Sequence, residues 1–501
     1  MEIVKALDRN IAEIRETFRD CGDIVMREFR IPVSGGGEGR IFLIYTDNMI
    51  NLMAMQDFIM TNAMTRDALT GENGTEGNDP EGLLEQLMQS VISIGEVTKL
   101  TELEKVYDAV LLGDTVVFMD GNDFALQAST KGFPSRGVNK AETEVVVQGP
   151  KDAFTEVMAM NIVLTRRRIR DTRLKLKRKK LGRRSKSDLA VLYMQDLVRP
   201  EILERIESQL DSMDLDFLPD SGYAEQLLEQ RKYSPFPQLQ MTERPDKTAS
   251  ALLEGRVVLL LDNTPYAILL PATLNTFFQA AEDYYDRWEI MSFIRLIRYG
   301  AALLTVLLPG AYIAYAVYHP ELLPTALALK IASTRAAIPF SVVGEVIIME
   351  LAFELLREAG VRLPSPVSST IGIVGGIIIG SAAVEAGLVS PAVVIVSALT
   401  GICSFVIPNV AMVSGLRLSK YIVILAAAVF GLFGVWAALL FLLMHLCGLT
   451  SYGIPYLYPF CSSSVNGDAD WEDSIVRLPL NKMKHRPIFA RADSRRREGD
   501  N

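Results

Sequence analysis

Four acidic residues in an otherwise apolar stretch are the candidates for chemistry in this sequence. Glu345, Glu350 and Glu354 lie in the first half of residues 339–391, and Glu385 interrupts the second half. A carboxylate inside an apolar segment of membrane length is costly, so it marks a functional site by default. The acids could carry cations or protons across a bilayer, or they could form hydrogen bonds and ion pairs between helices. Both interpretations stay open for Glu385.

The segment 341–356, which carries the other three acids, has a helical pattern but is short for a full span. Glu350, Glu354 and Glu358 share one helical face, and Glu345 points elsewhere. Because Glu345, Glu350 and Glu354 are expected nearer the membrane interface, the favoured interpretation is a polar face or ion pairs to Arg357 and Arg362. Whether this segment spans, re-enters or lies on the membrane surface is left open by the sequence.

The segment 368–389 is apolar over about the thickness of a bilayer and predicts a membrane span. Gly372, Gly376 and Gly380 recur in it at four-residue spacing. Such a stripe of small residues lets another helix approach closely, so it predicts helix packing.

The sequence predicts an all-α multi-pass membrane domain over 286–460, with about four full spans plus the short acidic helix. The four spans are predicted at 299–318, 368–389, 391–408 and 421–449. The tail 461–501 is basic and is placed in the cytoplasm by the positive-inside tendency, although Arg417 and Lys420 favour the opposite orientation. The polar N-terminal pattern predicts no signal peptide and a cytoplasmic start.

An internal repeat organises the first half of the chain. Residues 111–126 align without a gap on 253–268, so that Asp120 matches Asp262. Upstream, 43–50 resembles 191–198. Each copy therefore contains a strand, a helical region and a two-strand hairpin. The prediction is a soluble α/β half made of two related subdomains, at 1–140 and 145–285, with residues 3–28 forming its first helix.

A basic block lies between the two copies. Residues 166–186 contain thirteen Lys and Arg but one acid, Asp171. The favoured interpretation is contact with an anionic membrane surface or an acidic partner, and the alternative is a solvated face with ion pairs. Nucleic-acid binding is disfavoured, because no aromatic residues are interleaved for base stacking and the net charge is −9.

Motifs for catalysis, metals and cofactors are missing from the sequence. The four cysteines form no CxxC pair, and the three histidines are scattered. No Walker loop, dinucleotide fingerprint or Ser–His–Asp order occurs. We therefore expect no enzyme, no metal site and no cofactor.

From about residue 145 onward, a series of motifs resembles the A subunits of GerA-type spore germinant receptors of endospore-forming bacteria. They include VVQGPKDAF, GRVVLLLDNTPYAILLP, HPELLPT, MELAFELLREAGVRLPSP, IIIGSAAVEAGLVSP and RLPLNKMKHRP. The first 140 residues match mainly by pattern. The segment Arg335-Ala-Ala-Ile-Pro-Phe departs from the family's frequent Arg-Glu-Gly-Val-Pro-Phe and lacks its acid.

The resemblance implies a subunit of a nutrient-sensing complex in the inner membrane of the spore, which transmits nutrient binding into cation release. The implied partners are a transporter-like B subunit, a C lipoprotein, further copies of the chain and membrane lipid. The alternative is a non-conducting membrane scaffold, or a sporulation paralogue that stabilises the complex. Neither the nutrient nor the oligomer number can be deduced from the sequence.

Overall fold

The two halves of the chain fold differently, as the sequence predicts: two β-sheet subdomains precede an all-helical half. The structure is a computed structural model that describes residues 1–33, 37–51, 53, 55, 97–132, 140–362, 378–461 and 471–497. The first unit comprises Met1–Leu228, Met241–Pro271 and Arg486–Asn501, and the second comprises Glu229–Gln240 and Ala272–His485. The residue boundaries predicted for the four domains stay predictions.

The first subdomain packs helices on a five-stranded sheet. Its elements are α1 (Leu7–Thr17), β1 (Ile24–Val33), β2 (Gly37–Thr46), β3 (Val97–Leu100), α2 (Leu103–Leu111), β4 (Thr115–Met119) and β5 (Ala125–Ala128). The strands lie in the order β1-β2-β4-β5-β3. Apolar residues of α1 and α2 pack on one face of the sheet, where Ile14, Phe42 and Val106 are completely buried.

The second subdomain repeats this arrangement. Its elements are α3 (Met158–Arg166), β6 (Leu174–Leu181), β7 (Ser187–Met194), α4 (Pro200–Asp211), α5 (Ser221–Leu228), β8 (Gln240–Thr242), α6 (Pro245–Leu253), β9 (Val257–Leu261) and β10 (Ala267–Leu270). The strand order β6-β7-β9-β10-β8 is the same as in the first sheet.

Equivalent side chains make equivalent hydrogen bonds in the two copies, which confirms the predicted repeat. Asp120 accepts the backbone N–H of Leu7 at 3.2 Å, and Asp262 accepts that of Met158 at 3.0 Å. In each case the carboxylate at the hairpin turn satisfies a donor at the start of the helix. Gly113 and Gly255 share a positive φ, 89° and 85°, that favours glycine.

The predicted first helix, residues 3–28, is wrong in its second half. The helix ends at Thr17, and residues 24–33 form the edge strand β1. Apolar residues lie on both faces of this strand, so its composition does not show a clear period of two. The matching strand β6, with sequence LKLKRKKL, has the same position in the second sheet. Its composition indicates a basic block and does not predict a strand.

A buried ion pair joins the two subdomains. Arg166, at the end of α3, donates from Nε and Nη2 to Asp23 at 2.8 and 2.9 Å, and each side chain is 1% exposed. Next to this pair, Gly22 donates its backbone N–H to the carbonyl of Leu176 at 2.9 Å. Arg166 therefore has a structural role and cannot contribute to a basic surface.

At least nine of the thirteen basic residues of the block form ion pairs with acids in the described part of the chain. Besides Arg166, they are Arg168, Arg173, Lys177, Arg178, Lys179, Lys180, Arg183 and Arg184. The acids on α4 supply two of the partners, because Lys177 pairs with Glu207 and Lys179 with Asp211. Such ion pairs are expected if the basic block is a solvated face of the protein. The sequence favours the other interpretation, contact with a membrane surface or an acidic partner.

The end of the tail packs on the second subdomain. Arg491 donates its backbone N–H to Leu197 at 2.9 Å, and Ala490 forms a β-bridge with Val198. Phe489 lies over the guanidinium of Arg256 at 5.2 Å. Burial lowers the pKa of Arg256 to about 10. The last described residues of the chain are thus an ordered part of the first unit.

The second unit is helical. Its main elements are α7 (Leu274–Phe278), α8 (Trp288–Ile313), α9 (Thr325–Arg335), α10 (Val342–Arg362), α11 (Ala383–Glu385), α12 (Pro391–Phe405) and α13 (Val410–Cys447), followed by the short strands β11 (Thr450–Ser451) and β12 (Ile454–Pro455). A π-helix, Ala314–Tyr318, extends α8. Residues of α8, α10, α12 and α13 form one apolar core around Ile313, Val346 and Val423.

Two helices in the described part of the chain are long and apolar enough to cross a membrane. They are α8 with its π-helical extension, 31 residues, and α13, 38 residues. They cover two of the four predicted spans. Helix α12, on the third, is a shorter apolar helix of 15 residues, and residues 368–377 of the remaining span lie outside the described residues. The count of four spans therefore stays a prediction.

Candidate functional site

Helix α10 carries three of the four candidate acids, and two of them are fully buried. Glu345 is 0% exposed, and Glu350 is 2% exposed. Because an isolated buried carboxylate costs several kcal/mol, its partners decide whether the helix can keep it ionised.

Glu345 connects three elements. One carboxylate oxygen accepts a hydrogen bond from Nε of Arg335, the last residue of α9, at 3.2 Å. The other accepts the backbone N–H of Ser390, just before α12, at 2.8 Å. The Glu345 carboxylate therefore pairs with the Arg335 cation and also accepts the backbone N–H at the start of α12.

Two further acids of α10 pair with basic residues of α13. Lys420, 4% exposed, donates to the carboxylate of Glu350. Arg417 donates from Nε to Glu354 at 3.2 Å. Lys420 and Arg417 are three positions apart on one helix, and the acids are four apart on the other, so both pairs form side by side. We call these four residues, together with Arg357, the α10–α13 charge cluster.

Arg357 completes the cluster from the next turn of α10. Its Nη1 lies 4.0 Å from Glu354, its Nη2 donates to Ser404 at 2.9 Å, and its guanidinium lies 4.8 Å from the ring of Phe405. The cluster thus contains three cations and two anions. The predicted pairing of the acids with Arg357 is found only for Glu354, and Arg362 lies outside the residues whose side chains are described.

Glu385 has a different environment from the acids of α10. It ends the one-turn helix α11 and is exposed. Within the described part of the chain it forms no ion pair. Its expected burial at the end of an apolar span is not found in the single chain, and the structure does not bring it into the charge cluster.

The predicted glycine stripe can be examined at one of its three positions. Gly372 and Gly376 lie outside the described residues. Gly380 lies in the π-helix Ile378–Ala382, and a Cβ added there would meet no described atom within 4 Å. Close packing against another helix at Gly380 stays a prediction.

The basic members of the charge cluster were missed as site residues. From the sequence, Arg417 and Lys420 bear only on the orientation of the chain in a membrane. Their three-residue spacing near the start of a long apolar helix is a signal that could have been used, since such cations need partners when they are buried. Arg335 could have been found in the same way.

A second charged cluster surrounds two arginines of α8. The carboxylate of Asp283, 0% exposed, accepts from Nε of Arg295 at 2.7 Å and from Nη1 of Arg298 at 2.8 Å. Asp473 accepts from the Nη1 of Arg295 at 2.6 Å, and Arg477 donates to the backbone carbonyl of Asp283. Both Arg295 and Arg298 are buried, at 0% and 6% exposure.

Helix α13 is interrupted halfway along its length. Gly431 has φ 60° and ψ −138°, close to a region that essentially only glycine adopts. The ring of Tyr318 covers it so closely that a Cβ at Gly431 would lie 2.8 Å from the ring's Cγ. The Tyr318 hydroxyl donates to the carbonyl of Ala428 at 2.5 Å, which satisfies a group that the interruption frees.

Replacing Gly431 with alanine is expected to lower the free energy of unfolding by about 1–3 kcal/mol, because the backbone conformation is strained for any residue with a Cβ. The close contact with Tyr318 adds to this cost. Thermal unfolding of the purified protein in detergent measures the loss. Gly401→Ala in α12 is the matched control, since an added Cβ there meets nothing within 4 Å. Equal melting temperatures for the two variants would contradict the interruption at Gly431.

Comparison with known proteins places this architecture in one family. The family described as Bacillus/Clostridium GerA spore germination protein matches residues 12–489. Spore germination protein KA of Bacillus subtilis is 35% identical over 499 residues, which cover 99% of this chain and 89% of that protein. Spore germination protein A1 of the same organism is 40% identical over 382 residues, 76% of this chain and 79% of that protein.

A solved structure is also similar to this chain. It is the N-terminal domain of the A subunit of the Bacillus megaterium spore germinant receptor GerK3, with 27% identity and a TM-score of 0.43 over 55% of this chain and 98% of that chain. The fold defines a class of proteins in which a repeated α/β half is followed by a helical half that contains helices of membrane length. The chain belongs to the GerA family of spore germination proteins.

Proposed function

We propose that this chain acts in spore germination as the A subunit of a nutrient germinant receptor and has no enzymatic activity of its own. The supporting observation is the family match over residues 12–489, together with relatives named spore germination proteins that align over 76–99% of this chain. The match includes both the repeated α/β half and the helical half, so the proposal concerns the whole chain. The triggering nutrient is not part of it.

The proposed location is the inner membrane of the spore, with the α/β half and the tail in the cytoplasm. The outward face of α13 supports contact with a bilayer. Leu425, Val429, Phe433, Trp436 and Leu440 recur every three to four residues and are each more than half exposed. Such a row of large apolar side chains is unfavourable in water and favourable against lipid tails. The multi-pass arrangement also includes the predicted spans at 368–389 and 391–408.

The proposed assembly contains a transporter-like B subunit, a C lipoprotein and further copies of this chain. Nutrient binding by the complex is transmitted to the helical half, where cations pass. In the structure Glu350 and Glu354 form ion pairs with Lys420 and Arg417. In this proposal the paired arrangement is the non-conducting state. Separation of these pairs would expose two carboxylates toward a path for cations. Glu345 would gate the same path through Arg335.

Glu385→Gln is the sharpest test of the ion-path part of this proposal. Glu385 is exposed and forms no ion pair with the described residues, so neutralising it should not affect folding. The expected result is slower nutrient-triggered cation release from spores at a normal level of the protein. Potassium or sodium release after nutrient addition is the measurement, with immunoblots for protein level.

Glu321→Gln, which removes another exposed carboxylate, serves as the control and should release cations at the normal rate. Glu345, Glu350 and Glu354 are then replaced singly by Gln, although each of these changes also leaves a basic partner without its acid. If all four variants release cations normally at normal protein levels, the ion-path part of the proposal is wrong.

A second candidate function, a non-conducting scaffold or a sporulation paralogue, is favoured by one observation. Three of the four candidate acids form ion pairs with basic residues of the same chain, as expected of residues that hold helices together. Purified protein in liposomes separates the two functions. A conducting A subunit should give cation flux that depends on Glu385, alone or with its partner subunits and nutrient, whereas a scaffold should give none under either condition.

A further inference from the structure

Two exposed cysteines of the helical unit lie in contact with each other. The Sγ atoms of Cys447 and Cys461 are 3.4 Å apart, and both side chains are exposed. The pair is separated by fourteen positions and contains no CxxC spacing, so the sequence alone predicts no relation between the two thiols.

Both thiols are held by ordered structure. Cys447 is the last residue of α13, whose end is capped by the backbone N–H of Gly448 donating to Met444 at 3.1 Å. Cys461 donates its backbone N–H to Leu457 at 3.3 Å, and the ring of its neighbour Phe460 packs edge-on against Tyr299. Their proximity therefore follows from two anchored elements.

We propose that Cys447 and Cys461 form a site of reversible oxidation that closes an intrachain disulfide when a hydroperoxide is present. One thiolate attacks hydrogen peroxide and becomes a sulfenic acid, and the hydroxide that leaves takes up the proton lost by that thiol to form water. The second thiolate then attacks the oxidised sulfur, and the hydroxide displaced from it takes up the second thiol's proton to form another water. Overall, two thiols are oxidised to one disulfide while hydrogen peroxide is reduced to two waters. An S–S bond of about 2.05 Å requires the sulfur atoms to approach by little more than 1 Å.

The reaction should be selective for this pair among the four cysteines. Cys21 and Cys403 are 7% and 8% exposed. Burial raises the pKa of the Cys21 thiol, and the hydrogen bond with Cys447 raises the pKa of Cys461, so the selectivity comes from exposure and from the contact between the two thiols. Cys21 and Cys403 each also lie apart from the other cysteines in the described part of the chain, so neither has a thiol at hand to resolve a sulfenic acid.

Closing the bond would fix the end of α13 to the segment that follows it. That segment is already attached elsewhere in the unit, since Ser451 accepts the backbone N–H of Ala272 at 3.2 Å and Tyr456 accepts that of Leu274 at 2.7 Å. In the oxidised chain, α13 would therefore be linked covalently to the segment that hydrogen-bonds to Ala272 and Leu274. This inference is independent of the proposed function.

The test uses the full-length protein in detergent, reduced, freed of reductant and treated with hydrogen peroxide. Denaturation and maleimide labelling then count free thiols, and mass spectrometry identifies linked peptides. The expected result is the loss of two of four thiols, a linked peptide containing Cys447 and Cys461, and recovery of all thiols with dithiothreitol. On a non-reducing gel the protein should stay monomeric.

Three single variants serve as matched comparisons. Cys403→Ser should still form the linked peptide, whereas Cys447→Ser and Cys461→Ser should not. Either exposed variant should fold normally, because serine replaces a thiol at a solvent-facing position. Four free thiols after peroxide treatment, or disulfides found only between chains, would overturn the proposal.

Discussion

Replacing Asp283 with alanine is expected to be the most damaging single change in the helical unit. Its carboxylate is the shared acceptor of Arg295 and Arg298, and neither arginine can reach bulk water. Removing one partner of a buried ion pair typically costs about 3–5 kcal/mol, because the remaining charge stays buried without compensation. Here two guanidiniums lose the carboxylate that they share, while Arg295 keeps its contact with Asp473, so the loss should lie at the upper end of that range.

The measurement for Asp283→Ala is the yield of folded protein and its thermal unfolding in detergent. Glu289→Gln, at an exposed position in the first turn of α8, is the matched control and should change stability by less than about 1 kcal/mol. Asp283→Asn retains a hydrogen-bond acceptor but loses the charge, and it should fall between the two. A wild-type melting temperature for Asp283→Ala would show that the cluster is not buried as described.

Replacing Lys420 with methionine is the second change with a large expected effect. Methionine has a similar length and suits an apolar surrounding, but it leaves Glu350 buried with no cation on its carboxylate. The expected loss is again about 3–5 kcal/mol. Thermal unfolding in detergent measures it, and Lys330→Met, at an exposed position of α9, is the control.

A double variant distinguishes loss of the pair from loss of packing. Glu350→Gln combined with Lys420→Met removes both charges, so most of the lost stability should return. If the double variant is as unstable as the sum of its single variants, the two residues do not interact energetically. In that case the α10–α13 charge cluster cannot be the closed state of a gate.

The repeat was predictable because its signal is local. Asp120 and Asp262 stand in hairpins of the same length and pattern, and the turn residues there restrict the backbone through their own sterics. The edge strands were harder to recognise. In β6 the basic residues that follow Leu174 suggest a charged surface, and only pairing with β7 shows that the segment is extended.

The candidate acids were found from sequence, but their roles depend on long-range pairing. An acid in an apolar helix is visible in any sequence, and so Glu345, Glu350, Glu354 and Glu385 could be named. Whether each acid is buried, and against which cation, is a property of helix packing. Glu350 and Lys420 are 70 positions apart, and nothing in either segment identifies the other.

Taken by itself, the sequence determined the repeated α/β half, the apolar helices and the positions of the candidate acids, because these follow from local composition and periodicity. Tertiary structure alone decided that three acids are paired, that Glu385 is exposed, that Asp283 organises a buried arginine cluster and that two distant cysteines touch. The physical reason is that burial and ion pairing require atoms from different segments to meet, and only the packed chain brings those segments together.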